Sequence, residues 1–241
     1  MIEKIKNHLL VNKDKYILGV LLLLSFCLRV WYSSRDSLIW WDEAVYIGMG
    51  KHIATLGGIG FWEIFRPPFL PLVYAFLYKI HLPLILLGKA IVVLSSTGLI
   101  YFVYLLAQKM KEGAGIWAGL FLSITPVFFF FSKVPLSDIT STFIAVLSLY
   151  FFVNKKDFTA GLFVGIAFLT RFPQGLIIVP ILLSLPYREY GKDNFYIKRV
   201  FYASLKIIFG FFVLLIPYLV SNYFLYGSAL GPILLGSSII S

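Results

Sequence analysis

The sequence predicts an all-α, polytopic membrane helix bundle of about seven transmembrane helices, with surface helices in a long first external loop. Three observations lead there. Hydrophobic residues make up 60% of the 241 residues and charged ones only 13%, with a mean hydropathy of +0.89, whereas a soluble domain carries roughly a quarter charged residues. Apolar runs near the ~20 residues that cross a bilayer recur from Tyr16 to Asn222. In hydrocarbon, backbone polar groups must be satisfied within the segment, which selects helices.

The first run, Tyr16 to Trp31, follows Lys4, Lys6, Lys13 and Lys15 and is not followed by a small-residue cleavage site. It reads as a retained helix with a cytoplasmic amino terminus over residues 1–15, not as a removed signal peptide. The single cysteine, Cys27, lies inside this run and offers neither a disulfide nor metal-ligand spacing. Next comes a first external loop, residues 33–82. Its polar-aromatic part runs from Ser33 to Arg66, and its last part, Pro67 to His81, is short, apolar and opens with two prolines. Six further runs follow: Pro83 to Ala107, Gly115 to Phe131, Ile139 to Val153, Phe158 to Leu169, Phe172 to Leu185, and Val200 to Ser221.

Lys and Arg in short loops stay on the cytoplasmic side, so charge decides whether Pro67 to His81 crosses. If it does not, the inner loops hold the amino-terminal lysines, Lys109, Lys111, Lys155, Lys156, Arg188, Lys192, Lys198 and Arg199, which are most of the cations; if it does, the balance inverts. The piece is therefore placed at the interface as a re-entrant or surface helix. The stretches Trp40 to Arg66, Ser132 to Asp138, Thr170 to Gln174 and Tyr223 to Gly231 then all emerge externally. The net charge of +10 is dispersed over these loops, a topology-setting pattern that speaks against a nucleic-acid partner.

Several of these residues can carry chemistry. Asp42 and Glu43 open a helical pattern in which Asp42, Tyr46, Met49 and Ile53 share a face. A carboxylate there can take a proton from an acceptor hydroxyl, or simply favour the positive end of a helix. Arg66, stiffened by Pro67 and Pro68, can clamp a phosphate or carboxylate or snorkel at the interface. Ser132, Lys133, Ser137 and Asp138 form a turn where Asp138 either caps a helix or acts as a second carboxylate, positioning an acceptor, binding a metal or holding a cation. Arg171 interrupts FLTRFPQGLI just before Pro173, which exposes a cation near the headgroups. Lys89 and Lys206, near helix ends, fit snorkelling. His8, His52 and His81 lack metal-ligand spacing, so no metal is assigned to them.

In order, the pieces WWDEAVYIGMG, RPPFLPLVYAFLYKI, SKVPLSDITSTFIAVLSLYFF, GLFVGIAFLTRFPQGLIIVP and NYFLYGSALGP resemble the GT-C superfamily of polyprenyl-phosphate-sugar glycosyltransferases, in its protein mannosyltransferase and aminoarabinose transferase branch. The resemblance spans nearly the whole chain and implies one GT-C-like module over residues 1–241. It also implies a multi-pass plasma-membrane enzyme that moves a hexosyl or pentosyl group from a polyprenyl-phosphate donor to a hydroxyl of a protein, lipid or glycan acceptor, with inversion. It assigns Asp42 as catalytic base or acceptor-orienting carboxylate, with Glu43 in support. Tyr46, Arg66, Lys133, Asp138 and Arg171 would bind substrate, the two arginines engaging the donor phosphate or its acidic neighbours. No cofactor is implied, although Asp42 and Asp138 could share a divalent cation. Members of the superfamily usually continue with further spans, which implies a longer protein or a separate carboxyl-terminal subunit. A non-catalytic polyprenyl-phosphate-binding subunit is the alternative reading, and a transporter or flippase a third.

Overall fold

A computed structural model describes residues 13–35, 38–190 and 196–240. Lys4, Lys6, His8 and Lys192, which entered the topology and metal arguments, lie outside the described residues. Those described form helices joined by turns and, between residues 54 and 69, by a longer loop, with no strand among them. Among the described residues three helices are long and apolar enough to cross a membrane: α1 (Lys13–Ser34), α4 (Leu84–Met110) and α10 (Tyr196–Tyr226). Between α1 and α4 the first loop folds into α2 (Trp41–Ala54) and α3 (Phe69–Lys79). At 11 residues, α3 rises only about 16 Å, half of a hydrocarbon core. Pro67 to His81 thus yields a helix too short to cross a bilayer by itself.

The remaining predicted runs are helical but short. Gly115 to Phe131, expected as one span, is divided into α5 (Ala114–Ile124) and α6 (Pro126–Phe131). Pro126 has no N–H to continue the ladder, and Thr125 ahead of it is forced into an extended conformation. Next come α7 (Ser137–Val153) and α8 (Asp157–Thr170). Pro173 ends that pattern as expected, producing a 3₁₀ turn at Phe172–Ile177 before α9 (Ile178–Glu189). The last described element is α11 (Gly231–Ile240).

Four apolar clusters hold the bundle. Val92, Val93, Leu99, Ile100, Phe128 and Ile139 join α4, α6 and α7, with Leu21 and Leu22 of α1 against them. Phe152, Ala160, Val164, Ile181, Leu185, Ala203 and Ile207 join α7 to α10. Tyr46, Leu70, Tyr74 and Leu84 fasten α2 and α3 to the start of α4. Ile144, Ala145 and Ala167 receive Phe69, the first residue of α3. Large apolar side chains such as Leu23, Leu86, Phe121, Leu183 and Phe209 point outward, as lipid-facing surfaces do.

The polar contacts sort the helix ends into two sets. At one end, Lys109 of α4 donates to Asn154 after α7 at 2.5 Å. There too Arg188 of α9 donates to Asp157 of α8 at 2.7 Å and to the Phe152 carbonyl at 2.8 Å, and Arg199 of α10 meets Glu189 at 3.5 Å. At the other end sit the finish of α1, α2, α3, the start of α4, the α6–α7 turn, the finish of α8 and the finish of α10. Helices therefore alternate in direction along the chain.

Close approach of α8 and α10 depends on glycine. A Cβ on Gly161 would overlap the Ile207 carbonyl, and one on Gly210 would overlap that of Phe158; such small residues let backbones meet where no hydrophobic effect drives helices together. Gly161→Leu is expected to destabilise the protein by about 1–3 kcal/mol through overpacking, read as a lowered midpoint of thermal unfolding in detergent. The same change at Gly113, which has open space around it, faces no such clash, although its φ of +79° carries its own smaller cost.

Candidate functional site

Asp42 and Glu43 lie in the first turn of α2, where a carboxylate suits the helix dipole. The two point differently. Asp42 is 44% exposed at its side chain, and its Oδ1 accepts a 2.7 Å bond from the Arg66 guanidinium. Glu43 is fully buried and acts electrostatically on Tyr74 of α3. Burial first, and then Glu43 and Tyr46, raise the Tyr74 pKa, so its phenol stays protonated.

Arg66 is the hub of this side. Its Nε donates to Glu63 at 2.9 Å while its terminal nitrogen reaches Asp42, and its guanidinium lies over the rings of Tyr46 at 5.5 Å and Phe65 at 5.8 Å. Burial alone would lower its pKa, but the bonds to Asp42, Glu63 and Tyr46 outweigh it and raise the value above the ordinary one. The cation is thus permanent. Tyr46, expected to bind substrate, is buried beneath the guanidinium as its platform.

The second group comes from α7 and α8. Asp138 stands in the first turn of α7 and forms an ion pair with Arg171, the residue that closes α8; both side chains are close to half exposed. Thr142 donates to the Asp138 carbonyl at 2.8 Å and accepts from Gln174 at 3.3 Å, tying the 3₁₀ turn to α7. Lys133, in the turn before α7, rests its ammonium over Tyr32 of α1 at 4.3 Å and over Phe130 at 5.2 Å.

Packing brings the two groups to the same end. Phe69, three residues past Arg66, packs on the cluster of Ile144, Ala145 and Ala167, one to two turns from Asp138 and Arg171. A Cβ on Gly88 at the start of α4 would strike the Tyr74 hydroxyl and touch Pro135 of the Lys133 turn. Trp40, just before α2, packs edge-on to Phe130 at 6.0 Å. Trp62 donates to the Tyr226 hydroxyl at the end of α10 at 2.6 Å, with His52 ring-to-ring at 6.4 Å.

Sequence reasoning missed several of these partners. Glu63, three residues before Arg66, carried a readable signal; Trp62 with Tyr226 and Thr142 with Gln174 carried none. Arg29 of α1 was also passed over. It is 1% exposed, donates to the carbonyls of Ser25 and Ser123 and lies over Phe128 and Phe129, so it bonds a carbonyl of α5 close to its interruption at Pro126. A divalent ion shared by Asp42 and Asp138 would have to compete with an arginine at each carboxylate.

Two partly exposed Asp–Arg pairs at one end of a membrane bundle offer carboxylates that can accept a proton and cations that can hold an anion. No curated protein and no solved structure matches the chain. Residues 65–221 match the family described as dolichyl-phosphate-mannose-protein mannosyltransferase, a segment of about two thirds of the chain that includes Arg66, Lys133, Asp138 and Arg171 and begins after Asp42, Glu43 and Tyr46. The chain therefore belongs to the dolichyl-phosphate-mannose-protein mannosyltransferase family, membrane glycosyltransferases that draw sugars from polyprenyl-phosphate carriers.

Proposed function

We propose that this chain transfers a sugar from a polyprenyl phosphate to an acceptor hydroxyl on the external face of the plasma membrane, with inversion at the anomeric carbon. The observation that carries the reading is the pairing of Asp42 with Arg66 and of Asp138 with Arg171 at one end of the bundle. Asp42 has one oxygen on Arg66 and an exposed carboxylate edge, so it can take the acceptor proton as the hydroxyl attacks. Arg66 and Arg171 stabilise the charge that builds on the departing phosphate. Asp138 positions Arg171, and Glu43, buried beneath, positions α2 rather than touching substrate. Tyr46 supports Arg66, and Lys133 flanks the site.

The external placement of this end and the cytoplasmic amino terminus rest on the distribution of Lys and Arg, and the single module over residues 1–241 on the family resemblance. A protein, lipid or glycan can supply the hydroxyl, and a separate carboxyl-terminal subunit can complete the acceptor side. Sealed vesicles test the orientation. Right-side-out vesicles that contain the chain and a labelled polyprenyl-phosphate sugar should pass label to a membrane-impermeant acceptor added outside. Transfer confined to inverted vesicles would overturn the external placement.

A further inference from the structure

Away from the Asp–Arg pairs, a cavity of about 610 Å³ opens between α1 and α4, within the ~300–1,000 Å³ common for small-molecule sites. Its walls are apolar: Phe26 and Val30 on α1, Leu86, Val93 and Leu94 on α4. Val30, Leu86 and Leu94 are exposed, so the groove opens sideways into lipid. Polar groups gather at its mouth. Lys89 of α4 donates to the Ser33 carbonyl at 3.2 Å. Ser33 itself lines the groove; the residue is 4% exposed and its buried Oγ has no hydrogen-bond partner among the described residues. A buried hydroxyl without a partner costs free energy unless something else satisfies it.

An ammonium, an unsatisfied hydroxyl and an apolar trough between two membrane-length helices match a lipid with an anionic head. We infer that this groove binds an anionic phospholipid, its phosphodiester on Lys89 and Ser33 and one acyl chain along α1 and α4. One ammonium and one hydroxyl suit the single negative charge of a phosphodiester, and cations at this depth ordinarily reach the headgroup layer. The Lys89–Ser33 contact joins α4 to α1, whereas the Asp–Arg pairs are built from α2, the α2–α3 loop, α7 and α8. The site therefore stands whether or not the chain transfers sugar.

Thermal unfolding of the purified protein in detergent tests this, with phosphatidylglycerol or phosphatidylcholine of identical acyl chains added. Phosphatidylglycerol is expected to raise the wild-type midpoint by about 5 °C, phosphatidylcholine by clearly less. Lys89→Gln should lose the difference between the two lipids. Ala90→Phe, which fills the groove and keeps the cation, should lose it as well and carries the test if Lys89→Gln fails to fold. Equal effects of the two lipids, or an undiminished difference in Ala90→Phe, would overturn the inference. Polyprenyl phosphate giving the larger shift, lost in the same variants, would also overturn it and make the groove a donor-tail site.

Discussion

Asp42→Asn is expected to cut sugar transfer by about 10²–10⁴-fold while leaving a folded, membrane-inserted protein. The substitution keeps the size of the side chain and an oxygen for Arg66, but removes the charge that takes the proton. Because the Asp42 carboxylate is 44% exposed, its pair with Arg66 contributes about 0–1 kcal/mol after solvent screening, so the unfolding midpoint should barely move. The loss should fall on kcat more than on KM, since proton transfer is made in the transition state. Glu63→Gln separates proton transfer from the support of Arg66. It leaves Asp42 and its pair intact, and should weaken activity by no more than about tenfold. Equal losses in the two variants would mean that holding Arg66, not taking a proton, is what Asp42 does.

Arg171→Ala is expected to lower transfer by about 10²–10³-fold, the usual result of removing one charge-stabilising donor. Its pair with Asp138 offers a further control. Exchanging the two, Asp138→Arg with Arg171→Asp, can rebuild the ion pair but puts the cation on α7 and the carboxylate on the end of α8. If Arg171 holds the donor phosphate, the exchanged protein regains the stability of the pair and stays inactive. If the pair only fastens α7 to α8, transfer returns with stability. Unfolding midpoints and initial rates of the wild type, Arg171→Ala and the exchanged protein decide between these outcomes.

The sequence made the local decisions legible and left the long-range ones open. Pro67 and Pro68 ahead of a short apolar piece announced α3, and Pro173 announced the end of α8, because proline acts on its immediate neighbours. Pro126 carried the same signal inside Gly115 to Phe131, yet hydropathy alone made that run a single span. Asp42, Arg66, Asp138 and Arg171 were singled out because charge is costly near hydrocarbon. Their pairing was not readable: Asp138 could have held Arg66 or Lys133, and the fold gives it to Arg171. Arg29 was invisible for a related reason, its carbonyl partner Ser123 being 94 residues away. Exposure also separated Asp42 from Glu43, neighbours in sequence that part because consecutive helical side chains point about 100° from one another.

The central claim is that sugar leaves a polyprenyl phosphate at the end of the bundle that carries the two Asp–Arg pairs. The most direct test offers membranes containing the chain a labelled sugar on polyprenyl phosphate, and separately the same sugar on a nucleotide, and follows both the label and the anomeric configuration of the product. Transfer from the lipid donor alone, with inversion, is the predicted result. Transfer from the nucleotide sugar, or retention of configuration, would contradict the account.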